Sequence, residues 1–176
     1  VNILNTNCSD FIKESEGLPI FKNLPSTYGD FHKVKVRIKK KEDNLSKMFN
    51  NAFKNMHKSL KQRAIFTNGS SSFISESNNY TPFYIFPING YRYLYNTKVD
   101  SLDEHNETYN KLLENLTSEQ ALGIITELLN YTYNSANLKE GINSGAEVLF
   151  YNIPYYYCVK IDIFEDYSTL LGVINA

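Results

Sequence analysis

The sequence predicts an α+β fold in a single domain, and three observations predict it. The chain has 176 residues, enough to bury one sizeable core. Its apolar residues recur with period 2 in some stretches and near 3.6 in others. The stretches follow one another as strand, helix, two strands, two helices, two strands, without the regular alternation of a parallel α/β fold. With 14 Tyr, 11 Phe and no Trp, aromatic side chains are expected to anchor the strands.

Residues 1–30 mix Asn, Ser and Gly with Pro19 and Pro25 and keep no sustained period. They read as an extended N-terminal arm, with the single α+β domain spanning 31–176. The chain begins at Val1 rather than Met, as a processed or trimmed start would. From His32 to Lys39 the alternation is clean: Val34, Val36 and Ile38 face one way, Lys33, Lys35, Arg37 and Lys39 the other. This is a half-buried strand with a basic wet face. Over 43–62 the period changes, and Leu45, Met48, Phe49, Ala52, Phe53, Met56 and Leu60 form one helical stripe. Lys47, Lys54, Lys58 and Lys61 fall opposite it, so the predicted helix is amphipathic with a basic polar face.

A polar interval from Asn68 to Asn79 reads as a loop. Two aromatic strands then flank Asn89-Gly90, a dipeptide suited to the positive φ values of a tight β-hairpin. Ser101 with Glu104, and Thr117 with Gln120, are capping-box patterns ahead of two central helices. The second helix carries Ala121, Ile124, Ile125, Leu128 and Leu129, and a short helical turn is expected near Asn137–Gly141. Strands at Glu147–Tyr151 and Tyr155–Phe164, joined through Asn152-Ile153-Pro154, complete a second aromatic hairpin.

Charge is the most informative feature. Residues 33–63 carry 11 of the 18 Lys and Arg against only Glu42 and Asp43, a net +9, while the remainder carries 7 cations against 17 acids, a net −10. A block of this kind attracts a polyanion or meets an acidic surface, a second copy of the chain included. The candidate binding residues are Lys33, Lys35, Arg37, Lys39, Lys47, Lys54, Lys58 and Lys61, and the candidate partners are DNA, RNA or an acidic protein surface. Tyr91, Arg92, Tyr93 and Tyr95 would add stacking against bases if that hairpin is exposed. Copies docking head to tail through the acidic remainder would give a homo-oligomer.

Catalytic chemistry finds little support. There is no phosphate-binding glycine loop and no dinucleotide fingerprint. His32, His57 and His105 have no metal-ligand spacing with one another or with Cys8 and Cys158. Neither a metal nor a cofactor is expected. Two distant cysteines make no disulfide framework, and the expected setting is intracellular and reducing. No apolar run approaches the roughly 20 residues of a membrane span, so no membrane partner is expected.

Two resemblances add to this reading. The stretch "SGAEVLFYNIPYYYCVKI" resembles the acid-then-strand region of ADP-ribosyltransferases. It implies an enzyme using NAD, with Glu147 orienting the ribose and Arg63 or Arg92 holding the phosphates, although Gly145 stands where that family carries Gln or Glu. The stretches "LPIFKNLPSTYGDFHKVKVRIKK", "FNNAFKNMHKSLKQRAIF", "FPINGYRYLYN" and "AEVLFYNIPYYYCVKI" together look similar to small uncharacterised proteins of large tailed bacteriophages. This implies a phage protein, located in the virion or the host cytoplasm. The expected function is a non-enzymatic virion assembly component or nucleic-acid-associated factor. The alternatives are the NAD enzyme and a protein-binding inhibitor of a host factor.

Overall fold

The computed structural model describes residues 2–37, 47–48, 50–52, 64–71, 77, 79–97, 110–111 and 114–176. Among them, β1 (Phe21–Pro25), β2 (Phe31–Lys35), β3 (Ile65–Asn68), β4 (Tyr80–Pro87), β5 (Arg92–Tyr95), β6 (Glu147–Tyr151) and β7 (Tyr155–Lys160) form one antiparallel sheet. The helices are α1 (Asn2–Asn7), α2 (Ser9–Glu14), α3 (Ser118–Thr132), α4 (Leu138–Asn143) and α5 (Tyr167–Asn175), with a 3-10 turn at Ile161–Ile163. The chain is thus a single-domain α+β protein, as its sequence predicts.

The strand order is β2-β7-β4-β1-β3-β6-β5. β6 and β7 lie four places apart in this order, yet only residues 152–154 connect them. Four places in a flat sheet span about 19 Å. The link reaches about 14 Å at most. A flat sheet is therefore excluded, and the same crossing recurs between β4 and β5 through residues 88–91. The four-strand part β2-β7-β4-β1 and the three-strand part β3-β6-β5 close over a shared interior, joined through one residue pair, Phe21 with Asn68. The Phe11 ring of α2 fills that interior, meeting Phe86 of β4 edge-on at 6.1 Å and Phe150 of β6 at 5.9 Å.

Both expected hairpins are corrected by this topology. β4 pairs with β1 and β7, not with β5, and β6 pairs with β3 and β5, not with β7. A two-residue hairpin of the favoured type needs positive φ at both turn residues, and at 89–90 only Gly90 has it, at 87°. Asn89 has another task. Its Oδ1 accepts from the Asp10 amide at 3.0 Å, its Nδ2 donates to the Thr6 carbonyl at 3.0 Å, and its own amide donates to the Asn7 carbonyl at 2.7 Å. The N-cap residue of α2, Cys8, makes no side-chain capping bond, so Asn89 satisfies an orphan helix amide from across the fold. Asn152, at φ 68°, ties the two links together by donating to the Gly90 carbonyl at 3.1 Å.

The expected extended arm is also corrected. Residues 2–14 are mostly helical, and β1 lies between β4 and β3 in the sheet order. Leu4, Cys8, Phe11 and Ile20 are fully buried. The first three have helical spacing, but the bend at Cys8 splits them over two helices of six residues each, too short to display a period. The last strand ends at Lys160 rather than Phe164, because its ladder ends at the pair with Phe83. The helix α5 that follows was not anticipated; Asp166 caps it by accepting from the Thr169 amide at 2.7 Å.

The second central helix forms as expected. Thr117 and Gln120 make a reciprocal capping box, and Ala121, Ile125 and Leu129 are buried, while Ile124 is 44% exposed. With Met48 and Ala52 of the helical residues 47–48 and 50–52, α3 covers the outer face of the three-strand part at Leu94, Leu149 and Tyr151. These residues match the expected stripe of the basic helix. The first capping box, at Ser101 and Glu104, lies outside the described residues.

Two substitutions test this framework. Asn89→Ala should lower stability by about 2 kcal/mol in urea titration, through loss of the outside cap and its neighbouring bonds. At Gly69 a Cβ would overlap the Ile142 backbone of α4, so Gly69→Ala should cost about 2–3 kcal/mol.

Candidate nucleic-acid interface

β2 is the first strand of the sheet and among the described residues pairs with β7 alone. Its register sets Phe31 against Val159, Lys33 against Tyr157 and Lys35 against Tyr155. Bonds from the Lys160 amide to the Asp30 carbonyl and from the Val36 amide to the Pro154 carbonyl, each 2.9 Å, continue the ladder at both ends. Alternation then separates the two faces as the sequence predicts. Val34 and Val36 are half-buried against the core, while Lys33, Lys35 and Arg37 are exposed.

Aromatic rings underlie this basic row. The Lys33 ammonium sits 3.8 Å from the centroid of the Tyr155 ring, a cation–π contact of about 0.5–1 kcal/mol at an exposed site. Phe31 occupies the same face one alternation earlier. Its ring lies parallel to Tyr157 at 5.5 Å yet remains 38% exposed. Tyr157 is itself buried, and its hydroxyl accepts from Asn7 at 3.2 Å, so the platform beneath Phe31 is fixed on both sides. Among the described residues no carboxylate pairs with Lys33, Lys35 or Arg37. On the opposite face His32 stacks on Tyr28 at 4.3 Å.

The basic block does not all fall here. Lys47 is exposed on the helical segment that packs against β5 and β6, at the other end of the strand order. Lys39, Lys54, Lys58 and Lys61 lie outside the described residues, as do Arg63, His57 and His105. The tyrosines expected to stack on bases are engaged elsewhere. Tyr93 and Tyr95 are 8% and 0% exposed, and Tyr91 donates to Glu14 as Tyr95 does to Glu140. The aromatic members of the surface are instead Phe31 and Tyr155. Extending the alternation one residue upstream of His32 would have found Phe31.

The residues of the NAD reading are spread along one ladder. Arg92 pairs with Tyr151 at one end of the β5–β6 ladder, and Glu147 lies beyond its other end, paired with Asn68 of β3. Four steps along the strand separate Tyr151 from Glu147, about 13 Å. Gly145 has φ 71° just after the α4 cap at Ser144, the left-handed position that favours glycine at a helix end. Among the described residues no group of three or more His, Cys, Asp and Glu is arranged to hold a metal ion. No helix among them is long and apolar enough to cross a membrane.

Comparison with protein-family models, curated proteins and solved structures finds no match to this chain.

Burial also controls the thiols and phenols. Desolvation pushes Cys8, Cys158 and Tyr93 each up to about 12, and raises Tyr156 and Tyr167 as well. The unfolded chain gives up these protons earlier, so their contribution is complete below the ordinary values and is lost as pH rises through the folded ones. The urea midpoint should therefore fall steadily between pH 9 and 12. A thiol reagent at pH 8 should leave both cysteines unmodified until denaturant is added, since each is buried.

Proposed function

We propose that this chain is a non-enzymatic binding protein of a bacteriophage that engages nucleic acid through the β2 face, as a virion assembly component or a nucleic-acid-associated factor. The observation that carries the proposal is the pair Lys33 and Lys35 on one face of the edge strand β2, continued just past its end by Arg37, all three exposed and with no carboxylate paired to them among the described residues. Unpaired cations in a row retain their full attraction for a polyanion, and each phosphate they neutralise releases counterions. The phage context rests on the resemblance of the four stretches described above. Edge lysines also discourage a second sheet from adding to β2, which keeps the face open to a ligand.

The test is binding of fluorescently labelled DNA across a salt series, with the intact chain and with Lys33→Glu, Lys35→Glu and Arg37→Glu combined. The log–log dependence on salt should be steep for the natural chain and flatter by about 2 to 3 in the variant. Equal slopes for the two proteins, or no binding at low salt, would count decisively against a nucleic-acid role for this face.

A further inference from the structure

We propose that the ligand of the β2 face is specifically single-stranded nucleic acid, with an unpaired base laid on Phe31 and successive phosphates following Lys33, Lys35 and Arg37. The inference rests on the polyanion reading above and narrows it. Cations at alternate strand positions repeat every ~6.7 Å in a nearly straight row. An extended single strand can follow such a row with one phosphate per cation. Neighbouring phosphates along one strand are a comparable distance apart in a duplex, so the charge row fits a phosphate backbone without choosing between the two forms of DNA.

Phe31 gives the reason for a single strand. Phe31 is 38% exposed as a residue while its ring is backed by that of Tyr157 at 5.5 Å. A ring held flat from behind and open in front is a stacking platform, and bases stack on such platforms whatever their identity. In a duplex both faces of each internal base are already stacked, so only an unpaired base can use it. Lys33 is steadied over Tyr155 at 3.8 Å, which holds a cation beside the platform while leaving its N–H donors for phosphate. Two copies are disfavoured from pairing through β2 itself, because that would set basic residues against basic residues.

The chain contains no tryptophan, so Phe31→Trp installs a single indole at the platform. With oligothymidine its emission should be quenched on binding, and with a duplex of equal phosphate number it should change little. Phe31→Leu keeps an apolar contact with Tyr157 but removes the ring. It should weaken single-strand binding about tenfold and leave duplex binding unchanged. Should the Leu variant fold poorly, the indole signal decides alone. Equal affinity for both DNA forms, with no quenching, would overturn this inference and leave the broader nucleic-acid reading standing. Binding to polyglutamate but to neither DNA would overturn both and assign the face to an acidic protein.

Discussion

The structure depends on two links that are too short for the places they join. Residues 152–154 must bridge four strand positions, and they do so only because the sheet closes on itself. Closure creates an interior bounded by both parts of the sheet, and that interior must be filled. The N-terminal helices fill it, with Phe11 at the centre of an edge-on cluster with Phe86, Phe150 and Tyr91. Asn89 and Asn152 stand in the two links and hydrogen-bond respectively to the α1–α2 junction and to Gly90. Links, helices and core are therefore one mechanical unit.

The abundance of tyrosine follows from the same geometry. A closed sheet of short strands has much rim for its volume, and a tyrosine buries its ring while its hydroxyl reaches the rim. Tyr91 and Tyr95 end on Glu14 and Glu140, and Tyr157 ends on Asn7. These bonds tie the 88–91 link to α2, β5 to α4 and β7 to α1, so the hydroxyls stitch helices to the sheet around the core. The chemistry that suits them to this task also removes Tyr93 and Tyr95 from any ligand.

The two ends of the sheet are treated differently, and this locates the candidate site. At the outer side of β5, Asn134 exchanges backbone hydrogen bonds of 3.0 and 2.8 Å with Tyr95. At β2 no described strand takes the corresponding place, and the edge carries charge instead. Charge on an open edge prevents unwanted strand pairing and at the same time presents a straight row of cations. In the proposed function this one feature would serve both purposes, with the aromatic side chains of β7 beside it.

Local patterns were legible wherever a residue's surroundings are set by its near neighbours. The alternation over Val34, Val36 and the lysines between them, the capping box at Thr117 and Gln120, and the apolar stripe through Ala121, Ile125 and Leu129 all depend on period alone, and each is found in the fold. Strand partners were not legible. Asn89-Gly90 and Asn152 are good turn residues, but a turn fixes only where the chain reverses, and pairing is decided by which edges can be covered at once. β4, buried along most of its length, gains partners on both sides from β1 and β7, a gain that no hairpin with β5 offers. The helices α1 and α2 escaped notice because six residues cannot display a helical period. By itself the sequence determined the fold class and the basic face of the β2 strand. Only the tertiary structure decided that β2 lies at an edge, that Phe31 rests on Tyr157 and that Tyr93 and Tyr95 are withdrawn, because each is a contact between segments far apart in the chain.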